Sequence, residues 1–160
     1  MTGLPAQVIG EPDATIFPKV EFDAALIRER LEVASYLHKG VKVVFEDETA
    51  KSRETFEHAD GIEAYLKKLL AASSIRTVHE SAFVLGKDNG LRIDLAMQWT
   101  ESTDEQIRSY VNGIPTGSGG THENGLRAGI GKAVRNFIET HNLSPKGVTL
   151  TAEDIREDGR

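Results

Sequence analysis

Residues 117–138 read GSGGTHENGLRAGIGKAVRNFI, a glycine-rich turn that runs without a break into helical spacing. Leu126, Ile130, Ala133, Val134 and Phe137 recur as an apolar stripe and predict a helix over about 122–141, the longest in the chain. Ahead of it, Gly117, Gly119 and Gly120 permit backbone angles that other residues avoid, and Thr121 stands where a hydroxyl can cap the first helical amides. The loop therefore reads as a device for positioning a helix, and whatever holds the loop decides where that helix points.

Chemical readings of the same stretch fail on particular residues. A phosphate-binding loop needs a glycine five positions before Gly-Lys and a hydroxyl residue after it, but Gly131-Lys132 is preceded by Leu126 at that distance and followed by Ala133. A zinc-protease helix needs a second histidine four residues after the first, and His122 is followed by Glu123, Asn124, Gly125 and Leu126. His38, His58, His79 and His141 are scattered with no ligand spacing, so no metal site is expected. Ser118 lies among glycines but not in a Gly-x-Ser-x-Gly elbow. Carboxylate pairs such as Asp47-Glu48 and Glu153-Asp154 read as solvated faces and caps.

Composition narrows the class. At 160 residues the chain fits one domain, 1–160, and 39% hydrophobic with 28% charged residues is ordinary for a globular protein. The N-terminus MTGLPAQVIG lacks a basic region followed by a long apolar one, and no apolar run reaches membrane-spanning length, so a cytoplasmic protein is expected. With no cysteine, disulfides, zinc-thiolate sites and thiol nucleophiles are excluded. A formal charge of -6 argues against a domain that grips nucleic acid with its whole surface, so any duplex contact has to be local.

Along the chain, Ala6–Ile9 reads as a short strand closed by a turn at Gly10-Glu11-Pro12-Asp13. Asp23 reads as the N-cap of a helix over about 23–39, with Leu26, Ile27, Leu31, Ala34 and Leu37 at helical spacing and Gly40 as its stop. Strands are expected at 41–46 and 53–58, a helix at 61–70, and strands at 81–85 and 91–99 around a turn ending in Asn89-Gly90. Residues 106–111 add a strand, and a short last helix is expected at 151–157. The order supports a three-helix, mostly antiparallel α+β class. The terminal REDGR, charged and without a closing apolar element, reads as a cut end.

Several blocks carry a resemblance. LAMQWT at 95–100, YVNGI at 110–114, GGTH at 119–122, LRA at 126–128 and LTAEDIRE at 150–157 resemble, in order and with similar gaps, the second domain of the B subunits of bacterial type IIA topoisomerases, DNA gyrase and topoisomerase IV. Upstream, Pro12-Asp13, Ile16-Phe17, Glu21-Phe22-Asp23 and the stretch from Leu37 to Gly40 are similar to the segment that opens that domain.

The resemblance implies a transducer, a mechanical relay between an ATP-binding domain that dimerises as a gate and the domain that cleaves DNA. It implies an α+β fold of the ribosomal-protein-like split βαβ type, a two-layer sandwich with a mixed sheet and a left-handed crossover. The implied partners are the ATPase and DNA-cleavage domains of the same polypeptide, the topoisomerase A subunit, double-stranded DNA, and a second B subunit. ATP and magnesium are implied for the parent enzyme and no cofactor for these residues, because the family's Gln-Thr-Lys loop is absent from the sequence. This stretch alone is therefore expected to be inactive. Arg127, with Lys132 and Arg135, becomes a set of sequence-independent DNA contacts, and Gly119, Gly120, Thr121 and His122 an interdomain loop. Gyrase and topoisomerase IV are not separated by these residues. A rival reading is a stand-alone protein-binding module that shares the fold, and the reading frame around the chain discriminates the two.

Overall fold

The structure, a computed structural model, describes residues 10, 12–17, 20–143, 147 and 151. The strand expected at Ala6–Ile9 and the helix expected at 151–157 fall outside the described residues. Within them, three helices and six short strands form a mixed α and β architecture, as the pattern of the sequence implies.

Helix α1 spans Ala24–Leu37, and the Asp23 carboxylate accepts the Leu26 amide at 3.0 Å, the cap expected from the sequence. Strands β1 (Lys42–Asp47) and β2 (Ser52–Glu57) pair antiparallel, Lys42 opposite Glu57 and Asp47 opposite Ser52. The turn between them is organised by Asp47, whose side chain accepts from the amides of Thr49 and Ala50 at 2.9 and 3.0 Å. Helix α2 spans Ile62–Ser73, three residues past the expected end, because Ala71, Ala72 and Ser73 continue the helix until Ser74 turns left-handed at φ 56.

Strands β3 (Phe83–Asp88) and β4 (Arg92–Met97) form a second antiparallel hairpin in which Asp88 faces Arg92. The turn is tighter than the sequence suggests: Lys87 and Asp88 belong to β3, and Leu91 leaves the strand for the loop. The fifth strand is the larger correction. Of the stretch 106–111 only Tyr110–Val111 is strand, β5, paired with β6 (Ile114–Pro115) around Asn112-Gly113. Both turn residues have positive φ, 51 and 80. The right-handed twist of a two-residue hairpin demands that, and Asn-Gly meets it at the lowest cost. Helix α3 spans Thr121–Thr140.

The three hairpins are separate two-stranded antiparallel sheets among the described residues. Two of them, β1–β2 and β5–β6, meet α1 and α2 at an aromatic column. His58 stacks on Tyr36 at 3.5 Å between centroids, Tyr36 on Tyr65 at 5.1 Å, and the Tyr65 and Tyr110 hydroxyls lie 3.4 Å apart. The column joins α1, the end of β2, α2 and β5. Beside it Ser35 is fully buried, donating to the Glu32 carbonyl at 2.6 Å, with His58 Nδ1 at 2.8 Å. Arg28 grips both carboxylate oxygens of Glu54 at 2.7 and 2.6 Å while lying over the Phe56 ring, and Lys68 of α2 pairs with Glu32 of α1. These pairs sit at the surface, so they set the orientation of α1 on β2 and α2 more than they stabilise it.

Candidate functional site

The site grows from the Asn112-Gly113 turn. Closing β5 on β6 sets Ser109 opposite Thr116, whose amide donates to the Ser109 carbonyl at 2.9 Å. The two hydroxyls meet, and the Ser109 hydroxyl also donates to Glu123 in the first turn of α3. Glu123 is buried, at 8% exposure. A buried carboxylate requires partners, and Glu123 has the Ser109 donor on one oxygen and Arg127 NH2 at 3.6 Å from the other. The hairpin and the long helix are thus clasped at one point, with the glycine loop running between them.

The loop closes around this clasp. Gly119 has φ 72, and a Cβ placed there would sit 3.2 Å from Glu123 Oε2. Conformation and space both call for glycine. Gly120 is extended, and a side chain there would press on the His122 ring at 2.7 Å. His122 Nε2 lies 3.3 Å from the Thr116 hydroxyl. Thr121 does not cap: it is the first residue of α3, the N-cap is Gly120, and no side chain covers the first amides. The helix begins one residue earlier than expected, which takes Thr121 into its first turn and leaves Gly120, without a side chain, at the cap.

The buried side of α3 is rotated from the stripe expected. Ala133 and Phe137 are exposed, Phe137 lying against His141 at 4.2 Å, whereas Glu123 and Gly131 are buried and Leu126, Arg127, Ile130 and Val134 half-buried. The clasp accounts for the rotation by drawing Glu123 inward and the helix with it.

The three basic candidates separate accordingly. Arg127 is half-buried, its Nε donating to Glu105 at 2.8 Å and its NH1 lying 3.5 Å from Asn124 Oδ1. Lys132 and Arg135 are exposed and make no ion pair among the described residues. The sequence pattern does not point to Ser109, Thr116, Glu105 or Glu123. Asn112-Gly113 is the available signal, since a two-residue hairpin there places Ser109 beside Thr116.

Gly131 and Lys132 lie in the middle of α3, where backbone amides are committed to the helix and cannot wrap a phosphate. Among the described residues no three His, Asp or Glu converge as metal ligands. No helix among them is long and apolar enough to cross a membrane.

The profile of the DNA gyrase B family matches residues 61–159, more than half of the chain. The B subunit of DNA topoisomerase 4 from Escherichia coli is 37% identical over 147 residues, 90% of this chain and 23% of that protein. The B subunit of DNA gyrase from Chlamydia muridarum is 32% identical over 157 residues, 94% of this chain and 20% of that protein. Among solved structures, the 43K ATPase domain of Thermus thermophilus gyrase B superposes with a TM-score of 0.78 at 29% identity, covering 91% of this chain and 40% of that one. The chain thus spans about a fifth of the length of such curated relatives. From the hairpin clasped to its long helix to the residues shared with the B subunits of gyrase and topoisomerase IV, the chain belongs to the DNA gyrase B family.

Proposed function

We propose that this chain is the transducer of a type IIA topoisomerase B subunit, a single domain over 1–160 that relays the nucleotide state of a preceding ATPase domain to DNA cleavage and strand passage. The observation that carries the reading is the clasp. Among the described elements α3 shares no extended interface with α1, α2 or β1–β4, yet its first turn is tied to the β5–β6 hairpin through Ser109 and Glu123. A 20-residue helix is about 30 Å long. Held at one end, it turns a small displacement of the loop into a larger one at the other.

A second property supports a role inside a larger molecule. Ile16, Phe17 and Phe22 are 69%, 54% and 68% exposed, together with Val20 and Leu26. Large apolar side chains this exposed and this close in sequence mark surfaces that other parts of an assembly cover. The reading assigns those parts to the same polypeptide, to its dimer mate and to the topoisomerase A subunit. It assigns ATP and magnesium to the ATPase domain, a cytoplasmic location to the enzyme, and no turnover to this chain alone. It also places the three hairpins in a two-layer split βαβ sandwich with a mixed sheet and a left-handed crossover.

Gly119 and Gly120, with Thr121 and His122 of the first turn of α3 where the sequence suggested a loop, form the interdomain connection on this reading, and Arg127, Lys132 and Arg135 face a transported duplex. Replacing Arg127 by Gln in the full-length protein should lower supercoiling or relaxation about tenfold, the scale of one lost charged hydrogen bond, while ATP binding stays nearly unchanged. Equal losses of both activities would refute the relay.

A further inference from the structure

The geometry points to an acidic latch on the duplex-facing helix: Glu105 and Glu123 hold Arg127 in reserve, and the arginine takes a DNA phosphodiester only when Glu105 releases it. The inference rests on the reading of α3 as a duplex-facing surface and adds how that surface is regulated. Three basic side chains share the helix, but among the described residues only Arg127 is already paired. Its Nε donates to Glu105 Oε1 at 2.8 Å and its NH2 lies 3.6 Å from Glu123 Oε2. Two carboxylates against one guanidinium satisfy the arginine's charge within the protein, so an approaching phosphate meets a neutralised cation where the bare sequence suggests a free one.

The two carboxylates differ in how firmly they are held. Glu123 is buried, stands on α3 itself and receives the Ser109 hydroxyl, so it moves with the helix. Glu105 lies between β4 and β5 in a stretch that is neither helix nor strand, and its carboxylate is partly exposed. Exchange of one oxyanion for another on Nε therefore comes with movement of this stretch and leaves the Glu123 clasp intact. Arg127 then keeps one carboxylate contact and gains a phosphate in place of the other. Lys132 and Arg135, free of such partners among the described residues, make the first contacts, and Arg127 follows.

Salt dependence distinguishes the latch. Each phosphate contact that releases a counterion steepens the slope of log affinity against log salt by about 0.9, and an arginine already neutralised by protein carboxylates contributes nothing to it. The experiment measures binding of this chain to a short fluorescent duplex by anisotropy at a series of salt concentrations. It compares the parent with Glu105→Gln, with Glu139→Gln on α3 as a charge-matched control, with Glu105→Gln/Arg127→Gln, and with Lys132→Gln/Arg135→Gln. Glu105→Gln should bind about fivefold more tightly than Glu139→Gln, with a slope steeper by about 0.9, and the gain should vanish when Arg127 is also replaced. Glu105→Ala, run in parallel with circular dichroism, guards against a folding defect peculiar to glutamine.

Equal gains from Glu105→Gln and Glu139→Gln, or a gain that survives loss of Arg127, would overturn the latch. If Lys132→Gln/Arg135→Gln still weakens binding in that case, the duplex-facing surface stands without it. Absence of duplex binding in every variant would overturn both.

Discussion

At the residue scale the decisive group is Glu123, an acid in the first turn of a helix that points inward instead of toward water. Its burial is sustained by Ser109 and Arg127, and Gly119 leaves it room. Gly119→Ala should therefore cost about 1–2 kcal/mol, from the left-handed φ and from the contact with Glu123 combined. Gly117→Ala, two residues earlier, places its methyl in open space at an unstrained φ and should be close to neutral. Urea denaturation of the pair checks the difference; similar midpoints would mean that the loop is not held by the clasp. The sequence makes Asp23 legible as a cap because a cap is decided within three residues. It points to Thr121 as a cap for the same local reason and is off by one, since nothing nearby shows that Gly120 ends the loop. The inward turn of Glu123 is not legible from α3 alone, because its cause, Ser109, lies across a hairpin.

At the scale of elements, the helices and hairpins largely follow their sequence signals, and the departures have local causes. α2 runs on through Ala71 and Ala72, good helix formers; β5 is short because its partner β6 is only two residues long. The helix α3 carries Gly125, Gly129 and Gly131 in its interior, and a Cβ at any of them meets no atom outside the helix. Glycine there weakens the helix without a packing return. Gly129→Ala should stabilise the chain by about 0.5–1 kcal/mol and raise the thermal midpoint by about 2 °C. A decrease in calorimetry would show that the exposed face is covered by something a methyl group obstructs. The pairing of β3 with β4 is readable because Asn89-Gly90 acts over a few residues, whereas the two-residue β6 is too short to show a strand pattern. How the sheets join is not readable, since it depends on partners far away along the chain.

At the scale of the whole molecule, α1, α2, β2 and β5 are held together through ring faces and one pair of phenols. Burial first, and the Tyr65 hydroxyl second, push the Tyr110 phenol up to about 12 from its ordinary 10, although Arg108 and Arg30 pull the other way. Burial also raises Tyr36. A phenol that keeps its proton longer when folded adds stability that is complete below pH 10 and is lost as pH rises from about 10 toward 12. Alkaline unfolding should therefore fall in that window, and Tyr110→Phe should flatten the pH dependence within it. An unchanged dependence would remove the phenol pair from the account. The arrangement has an optical consequence as well. The chain contains three tyrosines and one tryptophan. All three tyrosines, Tyr36, Tyr65 and Tyr110, stand in the one column, while Trp99 sits apart beyond β4, tilted against His79 at 5.9 Å. Phenolate absorbance and indole fluorescence thus report on two different places in the unlabelled protein, a built-in pair of spectroscopic reporters for whether the two regions come apart together.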